Sequence, residues 1–286
     1  MKVIMVPVAA RPECGVALEV AFTLAADLNS NIVGYHLRPH REESQMARGA
    51  RLALTMADAE LPHADEAAVK LNSNSARRLF RDMAKQHGIP MARKPRRASH
   101  ALAYWNEMVG TPELLLGIIG PTADCIVLSH PKPRGSGPAR AFLVAALMDS
   151  GKPLLVLPQR RIKRMGKRIL IAWNQGVQAA SAMTTALPLL ARAEEVHIVC
   201  CGKEEMPGPK MKHAQNYLLH WGIESRLHTV RGRDTAAEIL EAYRATRCDL
   251  LVMGAYSRSH LRERILGGVT HYMLTAADIP VFALHV

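Results

Sequence analysis

Residues 253–270 hold the pattern best able to do chemistry. Met253-Gly254-Ala255-Tyr256-Ser257 closes one apolar run, and Gly267-Gly268-Val269-Thr270 opens another. Val269, Tyr272, Met273 and Ala276 recur at helical spacing, which predicts a helix beginning at the two glycines. The first turn of a helix carries N–H groups without intrahelical partners and the positive end of the peptide dipoles, so it attracts a phosphate. Glycines at that place let an anion approach the backbone with no Cβ in the way. The same glycines also suit a helix that needs only close packing at its start, and spacing leaves both readings open.

Other chemistries find no support. No Walker-type lysine, serine nucleophile elbow or HExxH pattern occurs. His36 and His40 flank Arg38-Pro39, and His213 and His220 share a polar segment. Neither pair has a carboxylate or thiol placed to complete a metal site, so structural or surface histidines are expected. The five cysteines, Cys14, Cys125, Cys200, Cys201 and Cys248, show no CxxC spacing and predict neither zinc nor a disulfide framework.

The elements that must position the glycines are written twice. Lys2-Val3-Ile4-Met5-Val6-Pro7-Val8 and Lys167-Arg168-Ile169-Leu170-Ile171-Ala172-Trp173 are continuous apolar runs, as in strands buried on both faces of a parallel sheet. Each is followed by an apolar helix. In the second copy Ala180, Met183, Leu187, Leu190 and Ala191 form its stripe. Thr111-Pro112-Glu113 starts a helix with threonine as cap, and Thr235-Ala236-Ala237-Glu238 reads as a capping box. Ala123-Asp124-Cys125-Ile126 then parallels Cys248-Asp249-Leu250-Leu251. Each copy ends on a proline-led strand, Pro153 to Leu157 and Pro280 to Leu284.

The order β-α-β-α-β-α-β-α-β, twice, predicts an α/β fold. It consists of two tandem open five-stranded, mostly parallel sheets with helices on both faces, Rossmann-like in plan. The expected domains are 1–160 and 167–286, joined at the basic stretch Arg160 to Gly166. Extra helical sequence lies between about Glu42 and His87, where Leu79, Phe80 and Met83 pack inward.

In such sheets ligands bind beyond the carboxyl ends of the strands, which is where the glycine stretch falls. Gly254 to Thr270 resembles the nucleotide loop of the universal stress protein family: Gly, two residues, Gly, nine residues, Gly, then Ser or Thr, commonly followed by Val-Thr. Gly254, Gly267 and the pair Val269-Thr270 match, while Ser257 replaces the second glycine and Gly268 the hydroxyl residue. The doubled strand and helix order extends the resemblance over nearly the whole chain.

The resemblance implies an ATP- or AMP-type ligand in some members and none in others, with no shared catalytic reaction and at most slow ATP hydrolysis. It also implies an Asp after the first strand. Asn174 stands there in the second copy and Ala9 in the first, which also argues against a receiver domain built on clustered carboxylates. Trp173 is placed either to stack on an adenine or to fill the core. The nucleotide site implied in the second copy therefore comprises Ala172, Trp173, Asn174, Met253, Gly254, Tyr256, Ser257, Gly267, Gly268, Val269 and Thr270. In the first copy Ser129-His130-Pro131-Lys132-Pro133 replaces the loop, and two prolines remove donors a phosphate would need. That copy is expected to be a structural partner. The resemblance further implies pairing of the two last strands, and the copies are expected to pack face to face about a pseudo-two-fold axis. A homodimer of such chains is a further expectation, and so is an alternative role as an interaction scaffold with a vestigial loop.

Of 286 residues, 37 are Lys or Arg and 25 are Asp or Glu, for a net charge of +12. Residues 1–168 carry +11 of it, with runs at Arg93 to Arg97 and Arg160 to Arg168. No aromatic residue interleaves the runs and no DNA-reading signature accompanies them, so sequence-specific nucleic-acid binding is not expected. No apolar run reaches the ~18 residues that would span a membrane. Arg11-Pro12-Glu13 cuts the opening apolar stretch short of a secretory signal, and a cytoplasmic location is expected.

Overall fold

The computed structural model describes residues 1–9, 11–38, 66–131, 137–205, 207–232, 234–255 and 268–285. In the first half the strands are β1 (Val3–Pro7), β2 (Asn31–Arg38), β3 (Ala103–Val109), β4 (Cys125–Ser129) and β5 (Leu154–Leu157). Between them lie α1 (Pro12–Leu28), α2 (Glu66–Gln86), α3 (Pro112–Ile118) and α4 (Gly137–Asp149). The second half has β6 (Arg168–Ala172), β7 (Glu195–Cys201), β8 (Arg226–Val230), β9 (Leu250–Gly254) and β10 (Val281–Leu284). Its helices are α5 (Val177–Thr185), α6 (Leu187–Leu190), α7 (Met211–His220), α8 (Thr235–Ala245) and α9 (Gly268–Thr275). The first part of the expected extra helical sequence, up to residue 65, lies outside the described residues. In the remainder Phe80 is fully buried, with Leu79 and Met83 packed against the core beside it.

Among the described residues the strands form one sheet in the order β3-β2-β1-β4-β5-β10-β9-β6-β7-β8. Each half has the same internal order, and every pair within a half is parallel. The halves meet at β5 and β10, which run antiparallel with Val156 opposite Val281, Leu155 opposite Phe282 and Leu154 opposite Ala283. The pairing of the last strands is therefore as expected, but the face-to-face packing is not, and the two expected five-stranded sheets are one continuous ten-stranded sheet. The halves join edge to edge, because β5 and β10 are four-residue strands, buried throughout, that would each otherwise leave unpaired N–H and C=O groups. The core runs through this junction on both faces of the sheet, one layer including Val127, Leu155 and Phe282 and the other Ile126, Val156 and Val281.

The repeat extends to single hydrogen bonds. Asp124 Oδ2 accepts from the N–H groups of Lys2 and Val3 (2.5 and 3.0 Å). Asp249 accepts from Gly166 and Arg168 at Oδ1 (2.9 and 3.1 Å) and from Lys167 at Oδ2 (3.2 Å). In each half this aspartate clasps the start of the first strand to the start of the fourth.

Three local expectations change. Thr111 does cap α3, its Oγ1 accepting from Leu114 N at 3.3 Å. The cap of α8 is Asp234, which accepts from Ala236 and Ala237 (2.9 and 3.2 Å), so Thr235 is the first helical residue. The stripe through Ala180 and Ala191 is broken at Pro188, and the buried positions are Ala179, Ala182, Met183, Leu187, Leu189 and Leu190. In α9 the buried face is Thr270, Met273 and Leu274; Tyr272 and Ala276 are exposed, one step round from the face the spacing predicts. No described helix is long and apolar enough to cross a membrane.

Candidate functional site

Where strand order reverses, in the second half between β6 and β9, the two strands lead their chains to opposite sides and open a crevice beyond their carboxyl ends. Ala172 and Met253 are register partners at that end, and Gly254 follows as the last residue of β9. The N-terminus of α5 seals the crevice on one side. A Cβ at Gly254 would lie 2.5 Å from Ala179 N and 2.6 Å from the carbonyl carbon of Gln178. Gly254 is thus required by the close approach of helix and strand, whatever else binds nearby.

The turn from β6 to α5 is rigid. Trp173 is 3% exposed; its N–H donates to Val199 O and its Nε1–H to Pro209 O, both at 2.8 Å. The indole is core, and its face is not offered for stacking. Asn174 is exposed and its Oδ1 accepts from Gly176 N at 3.1 Å, an Asx-type turn. Gln175 follows with φ of 61° and is buried. Its carbonyl oxygen would be 2.2 Å from a Cβ at Gly208, so the loop after β7 packs directly on this turn.

At the other side α9 begins at Gly268, which is exposed and, among the described residues, would meet no atom within 4 Å of an added Cβ. Val269 is partly buried and Thr270 is 8% exposed, so the helix start is anchored from its third residue while its first is exposed. Tyr256, Ser257 and Gly267 lie outside the described residues. The structure therefore sets Ala172, Asn174, Met253 and Gly254 around the strand ends and Gly268 to Thr270 at a helix start, and it puts Trp173 in the core.

At the equivalent place in the first half stand His130 and Pro131, both buried. His130 occupies the position of Ala255: each donates its N–H to the last strand of its half, His130 to Leu157 O and Ala255 to Leu284 O, both at 2.8 Å. The carbonyls match as well, that of His130 accepting from Gln159 Nε2 at 2.6 Å and that of Ala255 lying 3.2 Å from His285 Nδ1. The imidazole of His130 is 6% exposed, with Nε2 unpartnered among the described residues, and burial pushes it down to about 4, against a weaker upward pull from Asp278. The burial of His130 is not legible in the sequence because it depends on β5, remote in the chain. Lys132 to Ser136 lie outside the described residues.

Other polar groups belong to the frame. His36 Nδ1 is 2.8 Å from Val8 O and its ring stacks on Trp105 at 6.1 Å. His213 caps α7 by accepting from Lys210 N at 2.9 Å; His40 lies outside the described residues. On the outer strands His197 Nδ1 is 2.9 Å from His228 Nε2, beside Glu195 and its partner Arg168 at 2.7 Å. Burial holds both imidazoles below the usual range. Burial also pushes Cys125 and Cys201 up to about 12 and Cys248 to about 11, so none of these thiols is a nucleophile at neutral pH. Among the described residues no three His, Cys, Asp or Glu side chains are grouped to hold a metal ion.

Comparison with known proteins agrees with this geometry. Residues 165–285 match the family model "Universal stress protein family". Among curated proteins nothing matches. A universal stress protein from Archaeoglobus fulgidus DSM 4304 is similar over 99% of this chain and 98% of its own, with 14% identity and a TM-score of 0.72. A putative universal stress protein from Pseudomonas aeruginosa UCBPP-PA14 is similar over 100% of this chain and 93% of its own, with 14% identity and a TM-score of 0.57. At such identities the likeness is one of fold, and it spans both halves.

Proposed function

We propose that this chain, whose residues 165–285 match the universal stress protein family, is a cytoplasmic stress-response protein whose second half binds one adenine nucleotide, ATP or AMP. The phosphates lie at the start of α9 and the nucleoside toward Ala172 and Asn174. The observation that carries this reading is the open first turn of α9. Among the described residues nothing comes within 4 Å of a Cβ added at Gly268, so they leave room for an anion beside the backbone at the positive end of the helix. Asn174 presents an uncharged amide where an aspartate would repel phosphate or recruit a metal, so binding rests on hydrogen bonds and the helix terminus.

In this reading residues 167–286 are the ligand-binding domain and residues 1–160 a structural one, in which His130 and Pro131, both buried, follow the fourth strand. Calorimetry with ATP and with AMP, together with mass spectrometry of the natively purified protein, tests the proposal. One nucleotide per chain supports it. Two equivalent sites per chain would place the ligand wrongly.

A second reading, an interaction scaffold that works as a homodimer and holds no nucleotide, is favoured by Gly254 and Trp173. Both are accounted for by packing, with no ligand needed to explain them. Absence of any nucleotide, retained or titrated, would select the scaffold.

A further inference from the structure

The fold leaves one strongly charged surface without a role. Residues 66–102, α2 and its connection to β3, contain nine Lys or Arg against Glu66 and Asp82, a net of +7. The structurally equivalent segment of the second half, residues 211–225, has only Lys212 and Glu224, a net of zero. Since the same helix-and-strand unit forms without the charge, the charge is not a requirement of the fold.

The charges are exposed and held in place. On α2, Arg77, Arg81 and Lys85 are exposed at four-residue spacing, about 6 Å apart along the axis, with Arg78 beside them. The connection continues the patch with Arg93, Lys94, Arg96 and Arg97, all exposed. Its ends are tied down. Ala92 N donates to Ala103 O (2.8 Å), Ala103 N to Pro90 O (3.0 Å), and Asn29 Nδ2 to Ser99 O (2.9 Å). Among the described residues none of these basic side chains has an acidic partner, whereas Arg160, Lys167, Arg168 and Arg226 elsewhere do. Like charges gathered without counter-charges repel one another, and a polyanion relieves that repulsion.

From this surface we infer that the α2–β3 face binds the phosphate backbone of double-stranded nucleic acid without regard to sequence. Six of the nine cations are arginines, whose planar forks match phosphate oxygens in pairs. The apolar side of α2, with Ala76, Phe80 and Ala84 buried, is consumed by the core, and the single large apolar side chain described as exposed on it, Leu71, is too little to anchor the helix in a bilayer. Residues 66–102 contain only one aromatic ring among Phe, Trp and Tyr, the buried Phe80, so no such ring on the face stacks on the bases of a single strand. A duplex, whose charge is regular and whose bases are covered, is the polyanion that fits.

Fluorescence anisotropy with the full chain and duplexes of about 20 base pairs, DNA and RNA in separate arms, tests the inference. With about five phosphate contacts, affinity falls about 100- to 1,000-fold between about 50 and 200 mM salt and is equal for unrelated sequences. The paired variants Arg77→Glu/Arg81→Glu and Arg96→Glu/Arg97→Glu each weaken binding at least about tenfold at low salt and flatten the salt dependence. Lys212→Glu, on the neutral counterpart, leaves both unchanged. All three keep the wild-type circular dichroism, since the positions are exposed. Duplex binding that is absent at low salt, indifferent to the paired changes, tighter for one sequence, or matched by anionic phospholipid vesicles or polyglutamate would overturn the assignment.

Discussion

Gly254 and Ala179 are in contact through backbone alone: the last residue of β9 leaves no room for a Cβ, which would sit 2.5 Å from the amide nitrogen of the helical residue. Gly254→Ala must therefore push α5 away from the sheet. We expect a loss of about 1–3 kcal/mol, as for other insertions into a tight core. Urea denaturation measures it. An unchanged midpoint would mean that the strand end and helix are not so close.

Gly268 is the opposite case, a glycine whose Cβ would meet none of the described residues within 4 Å. Gly268→Ser supplies the missing hydroxyl and should tighten ATP binding about threefold to tenfold, the value of one added hydrogen bond of about 0.5–1.5 kcal/mol. Gly268→Asp places a negative charge at a helix start, which the fold tolerates and phosphate does not. It should abolish binding with the melting temperature kept or raised. Calorimetry and thermal melts on the same two variants separate the effects.

Trp173 separates core from ligand contact. Trp173→Phe removes the bond to Pro209 O and should cost about 1–2 kcal/mol. Because the ring is buried, nucleotide affinity of the folded variant should stay within about twofold of wild type, a difference below about 0.4 kcal/mol. A tenfold loss of ATP affinity in calorimetry would show that the indole does touch the ligand.

His130 makes the chain acid-sensitive. Its folded value of about 4 lies below its ordinary 6.5, so the unfolded chain binds the extra proton first. The contribution of His130 to stability is constant above about pH 6.5 and falls as pH drops toward 4, by about 3 kcal/mol in all. His130→Phe should flatten that decline in denaturation curves taken at pH 7, 6, 5 and 4. An unaltered slope would assign the acid sensitivity to another group.

The doubled fold is legible in the sequence because it is carried by short-range patterns: continuous apolar strands, Thr111 as a cap, and Asp124 and Asp249 in matching runs. What pattern misses depends on geometry one step beyond it. Val269, Tyr272 and Ala276 are apolar and helically spaced, yet the face α9 buries is set by its neighbours, and Thr270 goes inside while Tyr272 goes out. Thr235 is a good cap by type, but Asp234 one residue earlier takes the role with two bonds. Trp173 and Gly254 cannot be told from ligand contacts until Pro209 and Ala179, distant in sequence, are seen against them. The edge-to-edge junction is equally hidden, since Leu154 to Leu157 and Val281 to Leu284 read as buried strands in either arrangement.

The antiparallel seam between β5 and β10 fixes more than the join. Because the strands of the two halves run in opposite directions across it, their carboxyl ends open at opposite margins of the plank. Whatever enters the crevice beside Gly254 is out of reach of His130 and its surroundings, and neither half can act as a lid for the other. The molecule is two-ended: a ligand held at one margin and a partner engaged at the other need not compete for room, and each can be present without the other having to leave.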